Sequence, residues 1–186
     1  GPDGALLRLP WPPAAAPLAL RHRGSGAPWA LVQAVAALPL REPVASGYRI
    51  ERRVEPVSQR TPGVYRRGDV ARVRVEIVAD ADASWVVATD PIPAGATLLG
   101  GGLGSGADLL AAGERDAGAA WEAYTERSHE GFRRYYQYVP EGRFSFEYTV
   151  RFDQAGRFQL PPTRVEAMYA PERMGEWPNE VFEVAP

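Results

Sequence analysis

The chain contains no cysteine and no lysine, and only two histidines, His22 and His129. Without cysteine there is no thiol nucleophile, no disulfide and no thiolate zinc site. Without lysine there is no phosphate loop of the Walker type and no Schiff-base chemistry. Two histidines cannot build a multi-histidine metal cage, so no metal or other cofactor is expected. No run of ~18 apolar residues exists, so direct membrane insertion is not expected either. The missing cysteines suit the cytosol, and equally a periplasmic protein that needs no staples.

What remains is 186 residues, 45% hydrophobic and 24% charged. This is an ordinary globular composition, enough for one domain or one domain plus a fragment of another. Arginine supplies every basic side chain, and the net charge of −2 divides into +4 over residues 1–53 and −6 over residues 54–186. The positive residues (Arg8, Arg21, Arg23, Arg41, Arg49, Arg52, Arg53) are scattered and lack the density of a nucleic-acid stripe. Gly1-Pro2 looks like a protease-cleavage scar, and prolines between Pro10 and Pro17 interrupt any signal-peptide core.

Eighteen prolines and nineteen glycines argue for many short strands. From Arg143 to Phe152 the sequence alternates strictly: Phe144, Phe146, Tyr148, Val150 and Phe152 share one face, and Ser145, Glu147, Thr149 and Arg151 the other. Tyr135–Val139 is a second strand, with Pro140-Glu141-Gly142 as a hairpin turn between the two. Asp69–Val78 alternates again, and Trp85–Thr89 is a short apolar run stopped by Asp90-Pro91-Ile92-Pro93-Ala94-Gly95. Tyr48–Val54, Arg157–Leu160, Arg164–Met168 and Val181–Val184 complete a β-sandwich pattern. Further strands are expected at Leu6–Trp11, Leu18–His22 and Trp29–Leu38, followed by a linker from Pro39 to Gly47. The expected division is residues 1–47, too few strands to bury a core alone, and residues 48–186. Gly100–Gly106 is a flexible insert, and the Ala-rich Asp108–Tyr124 stretch has room for a helical turn or two.

Candidate chemistry is thin. The glycine run has no following Lys-Ser/Thr and no Rossmann spacing. Ser128-His129-Glu130 is adjacent in sequence, which does not supply the spatial convergence of a triad. Glu141, Glu147 and Glu166 have nothing that sets them across a cleft, as a glycosidase pair requires. Tyr135, Tyr136, Tyr138, Phe144, Phe146 and Tyr148 suit a sandwich core, and a carbohydrate platform uses the same residue types. The residues alone give an all-β binding or structural module and no enzyme, with a cell-wall or carbohydrate-binding sandwich as the alternative reading.

One segment carries more. Phe158-Gln159-Leu160-Pro161-Pro162-Thr163-Arg164-Val165-Glu166-Ala167-Met168-Tyr169-Ala170-Pro171-Glu172, with Gly175-Glu176-Trp177-Pro178-Asn179 after it, resembles the C-terminal region of bacterial alpha-2-macroglobulins. Gly142-Arg143-Phe144, Tyr148-Thr149-Val150-Arg151 and Asp90–Gly95 fit the same pattern. Gly24-Ser25-Gly26, Pro28-Trp29 and Pro39-Leu40 look like the second half of the family's CUB-type domain.

The resemblance implies an all-β, macroglobulin-like sandwich over 48–186, with a short helical or flexible insert, preceded by a few CUB-type strands in 1–47. It implies a parent that is a periplasmic, broad-range protease inhibitor, in some members lipid-anchored to the inner membrane and associated with host colonisation and defence. Its implied partners are the thioester domain and neighbouring macroglobulin domains of the parent, target proteases, and a peptidoglycan-synthesising penicillin-binding protein. In thioester-bearing members a loop of this domain shields that bond from water. Carried over, the shield is Met168 and Tyr169, framed by Pro161, Pro162 and Pro171. A polarisable thioether beside an aromatic ring makes an adaptable apolar lid, and prolines lower its ordering cost. The thioester motif itself is absent from this chain, as the lack of cysteine requires.

Overall fold

The computed structural model describes residues 7–10, 12, 14, 17–27, 29–33, 39–100 and 114–186. The chain divides into two units, Gly1–Ala37 and Leu38–Pro186. In the first, none of the described residues lies in a strand or helix, and Leu18, Leu20, Trp29 and Leu31 are exposed. The strands expected at Leu18–His22 and at the start of Trp29–Leu38 are therefore not seen there. Short apolar segments without partner strands close no ladder. Leu6, Trp11 and residues 34–38 fall outside the described residues.

The second unit is all-β, with strands β1 (Val44–Ser46), β2 (Tyr48–Ser58), β3 (Val70–Ala79), β4 (Ala83–Pro91), β5 (Ala96–Leu99) and β6 (Trp121–Arg127). They are followed by β7 (Gly131–Val139), β8 (Gly142–Phe152), β9 (Gly156–Phe158), β10 (Thr163–Ala167), β11 (Ala170–Trp177) and β12 (Phe182–Val184). A six-stranded antiparallel sheet runs β1-β11-β10-β4-β7-β6, and a four-stranded one runs β2-β3-β8-β5. β12 and β9 form a small third ladder.

The period-two pattern does what it should. Val73, Val75 and Ile77 of β3 and Phe144, Phe146, Tyr148 and Val150 of β8 point into the core, against Val86, Ala88, Phe132, Tyr136 and Val165 of the larger sheet. Phe132 stacks on Tyr148 at 4.7 Å and on Phe146 at 5.4 Å, and Tyr136 meets Phe144 edge-on at 5.2 Å. These contacts correct one expectation. β7 and β8 are not a hairpin, because β7 pairs with β4 and β6 while β8 pairs with β3 and β5. Their aromatic faces bury against each other across the sandwich, which removes more apolar surface from water than pairing edge to edge would. Pro140-Glu141 carries the chain from one sheet to the other, and Gly142 supplies the φ of +124° at the crossing.

The Ala-rich stretch also differs from expectation. Residues 108–113 and the glycines 101–106 lie outside the described residues. Residues 114–120 are irregular, with Ala117 bridged to Ser145 of β8, and 121–124 belong to β6. Tertiary pairing with β7 overrides helix propensity there. The expected linker is likewise interrupted, since β1 adds to the edge of the six-stranded sheet through Val44↔Glu176 and Ser46↔Met174.

Candidate functional site

The segment that carried the resemblance forms the β10–β11 hairpin. Thr163, Val165 and Ala167 are buried, while Arg164 and Glu166 face outward. Arg164 is paired with Glu166 at 2.7 Å and with Glu176 of β11 at 2.6 Å. Met168 and Tyr169 form the turn, between paired Ala167 and Ala170, and are 48% and 80% exposed. Beyond the turn the register jumps to Glu166↔Met174, so residues 171–173 bulge out of the ladder. Pro171 suits this bulge, having no amide hydrogen to offer a ladder. Pro161 and Pro162 precede β10 and so lie at the end of that strand away from the turn.

The tip is held from two sides. The Met168 N–H donates to the Trp85 carbonyl of β4 at 2.7 Å. On the other side Arg173 donates to Asp80 at 2.8 Å and to the Ala81 and Asp82 carbonyls at 3.2 and 3.1 Å, with its guanidinium 5.7 Å from the centre of the Tyr48 ring. The turn is thus exposed yet fixed.

At the other end of β10 lies a buried polar cluster. Asp90 of β4 is fully buried and accepts Arg52 Nε at 2.8 Å. The Tyr148 and Thr163 hydroxyls also donate to its carboxylate. Asn179 donates to the Thr163 hydroxyl at 3.2 Å and to the Pro161 carbonyl at 2.7 Å. Burial acts to lower the Arg52 pKa, but the adjacent Asp90 more than offsets it and keeps the guanidinium charged. Burial first, and Asp90 second, push the Tyr148 hydroxyl well above its ordinary value, so it remains a donor. The space beside Arg52 and Tyr148 amounts to about 10 Å³, room for a water at most. This is a clasp between the two sheets and not a ligand site.

The other candidates do not converge. Ser128-His129-Glu130 is the β6–β7 turn: Ser128 Oγ serves the backbone around Gly131, and His129 sits exposed beside Glu130 at 3.9 Å. Glu147 is buried against Arg74 at 3.2 Å, Glu166 is tied to Arg164, and Glu141 is exposed. Each glutamate belongs to a different element. Of the six aromatics, Tyr136, Phe144, Phe146 and Tyr148 are core, and only Tyr135 and Tyr138 are half-exposed. Among the described residues no three His, Cys, Asp or Glu side chains are placed to hold a metal, and no helix is long and apolar enough to cross a membrane. Sequence reasoning missed the clasp, β6 with its exposed Trp121 and Tyr124, and the fixed tip. The clasp had a signal, because Asp90 and Arg52 occupy inward positions of alternating strands.

A two-sheet antiparallel sandwich whose distinctive feature is an exposed, braced turn is a macroglobulin-like β-sandwich module. Residues 47–172 match the family described as the bacterial alpha-2-macroglobulin MG10 domain, and the chain belongs to the bacterial alpha-2-macroglobulin family. It is 27% identical over 150 residues to an alpha-2-macroglobulin homolog of Nostoc sp., covering 70% of this chain and 7% of that protein. It is similar to the crystal structure of Salmonella alpha-2-macroglobulin reacted with methylamine, at 26% identity and a TM-score of 0.61, over 78% of this chain and 10% of the other. It shares its fold with Escherichia coli alpha-2-macroglobulin activated by porcine elastase, at 21% identity and a TM-score of 0.63, over 78% of this chain and 14% of that one. The chain thus spans a small fraction of the length of these relatives.

Proposed function

We propose that this domain is a non-catalytic cover and brace within a much longer, periplasmic alpha-2-macroglobulin-type protease inhibitor. Met168 and Tyr169 shield a thioester carried by another domain of that polypeptide. The observation that carries the reading is the tip itself: a thioether and a phenol ring, 48% and 80% exposed, held at both shoulders by Trp85 and Arg173. Unpaid exposure of such groups at a rigid tip suits a surface that is covered elsewhere. A pre-fixed lid loses little entropy on docking. It also leaves cleanly when the parent changes shape, because the contact is a surface turn and not a shared core. The Salmonella relative's reaction with methylamine is the chemistry expected of an activated acyl group that a small amine can reach. Target proteases, a penicillin-binding protein and a lipid anchor belong to the parent in this reading. The carbohydrate alternative is disfavoured because most of the rings it needs are core.

The test is Tyr169→Ala in the full-length protein, with the rate of inactivation by methylamine as the readout. The reading expects faster inactivation. An unchanged rate removes the shield assignment.

A further inference from the structure

Trp85 is the only non-glycine residue with positive φ among the described residues, at +54°. The left-handed region is strained for an L-residue of this bulk. The ring does not recover that by burial, since it is 41% exposed. Strain held at an exposed aromatic points to use of that conformation.

The register shows what Trp85 lies beside. Val86 is opposite Ala167 on one side and Tyr136 on the other, so Trp85 falls in the next row, between the Met168 turn and Gln137. One strand further, Trp121 is opposite Tyr138 and Tyr124 opposite Tyr135, with ring centres 5.5 and 6.0 Å apart. Trp121 and Tyr124 are 64% and 62% exposed. The β6–β7 register passes over Gln137, so Trp121 and Tyr124 flank the Trp85 row, one and two rows to either side of it, and the four strands from β10 to β6 span about 15 Å at ~4.8 Å per strand. The far strand, β6, is also one edge of the six-stranded sheet among the described residues. An aromatic, unpaired edge is a liability unless something covers it.

We propose that Trp85, Trp121 and Tyr124 continue the Met168–Tyr169 tip as one docking strip for another domain of the same polypeptide. This rests on the reading of the tip as an interface. Three features favour that occupant. The chain spans only 7% and 10% of its Nostoc and Salmonella relatives, so most of such a protein lies beyond it. The strip begins at the tip, where the Trp85 carbonyl holds the Met168 amide, and Trp and Tyr are the side chains that anchor protein interfaces. Trp121 is tilted 54° against Tyr138 and Tyr124 32° against Tyr135, so neither pair is a coplanar platform for a sugar ring.

The test is hydroxyl-radical labelling of the indoles in the native full-length protein, against free N-acetyltryptophanamide. This domain alone leaves 41% and 64% of Trp85 and Trp121 exposed, which slows them less than about threefold. Docking is expected to slow both by at least about fivefold, as at the dry centre of an interface. Trp85→Gly suits the local φ and keeps the fold, and is expected to return Trp121 toward the undocked rate. Labelling of both indoles at undocked rates, or no response of Trp121 to Trp85→Gly, overturns the proposal. So does protection that appears only on adding cell-wall oligosaccharide. Protected indoles with an unchanged methylamine rate in Tyr169→Ala remove the shield and keep the strip. Undocked indoles with a changed rate do the reverse.

Discussion

Asp90 shows how much one side chain can decide. It sits with no solvent exposure and takes hydrogen bonds from Arg52, Tyr148 and Thr163, two from one sheet and one from the other. A carboxylate taken out of water is tolerable only with every lone pair used. Asp90→Ala leaves the Arg52 charge buried and unpaired, and is expected to cost about 3–5 kcal/mol in urea unfolding. Replacing the pair together by apolar residues (Arg52→Met with Asp90→Leu) is expected to recover the part of that loss due to the stranded Arg52 charge, while the buried Tyr148 hydroxyl left without its acceptor keeps the remainder. A single substitution that proves harmless would show the clasp to be incidental. Thr163 opens β10, so the same loss is expected to loosen the start of the hairpin that carries Met168 and Tyr169.

At the scale of elements, the sequence pattern was enough to place β3, β8 and β10 within a residue of their observed ends, whereas β2 and β7 run four residues beyond the expected bounds at one end and β4 two at each end. Each of these strands buries one face, and period two is the direct imprint of that. Partner choice was not legible. Tyr135–Val139 and Arg143–Phe152 look like a hairpin because a short turn joins them, yet nothing local says whether two apolar faces will lie side by side or face to face. β1 and β6 escaped notice because they are edge strands, exposed on most positions, and lack the alternation that burial imposes. The tip was legible by resemblance only; its fixity came from the Trp85 carbonyl and from the Asp80–Asp82 acceptors of Arg173, all distant from it in the sequence. β11 offers a test of element packing. A methyl group at Gly175 would come within 2.3 Å of the Tyr48 carbonyl oxygen, where β11 crosses β2. That neighbour is backbone and cannot swing away. Gly175→Ala is expected to cost about 1–3 kcal/mol by thermal or urea unfolding, as overpacking does. If stability is unchanged, the two sheets are not packed as closely there as the fold requires.

For the whole molecule, acid should act at both ends of the sandwich, through Asp82 beside the tip and through Asp153 at the far end of β8. The Tyr138 hydroxyl and the Glu141 amide donate to Asp82, and these bonds hold its carboxyl below the usual value. Burial opposes ionisation of Asp153, but hydrogen bonds from Arg151 and Thr97 outweigh it and lower its pKa too. A carboxyl depressed in the folded state adds stability that is fully present above the unfolded value, near 3.9, and is lost as pH falls through the lower folded value. The urea midpoint is therefore expected to stay level with respect to these two groups down to about pH 5 and to decline below about pH 4. Asp82→Asn with Asp153→Asn is expected to lower the midpoint at neutral pH and flatten that decline. Asp82 also lies in the β3–β4 turn, whose Asp80 carboxylate and whose Ala81 and Asp82 carbonyls receive Arg173. Loosening this turn releases the bulge behind Tyr169 before it reaches the Phe132–Tyr148 stack. Amide exchange at residues 168–173, corrected for the intrinsic effect of pH, should then rise below about pH 4 ahead of exchange in β3 and β8. Simultaneous loss of protection across both sheets would mean that the tip is fastened by the core and not by Arg173.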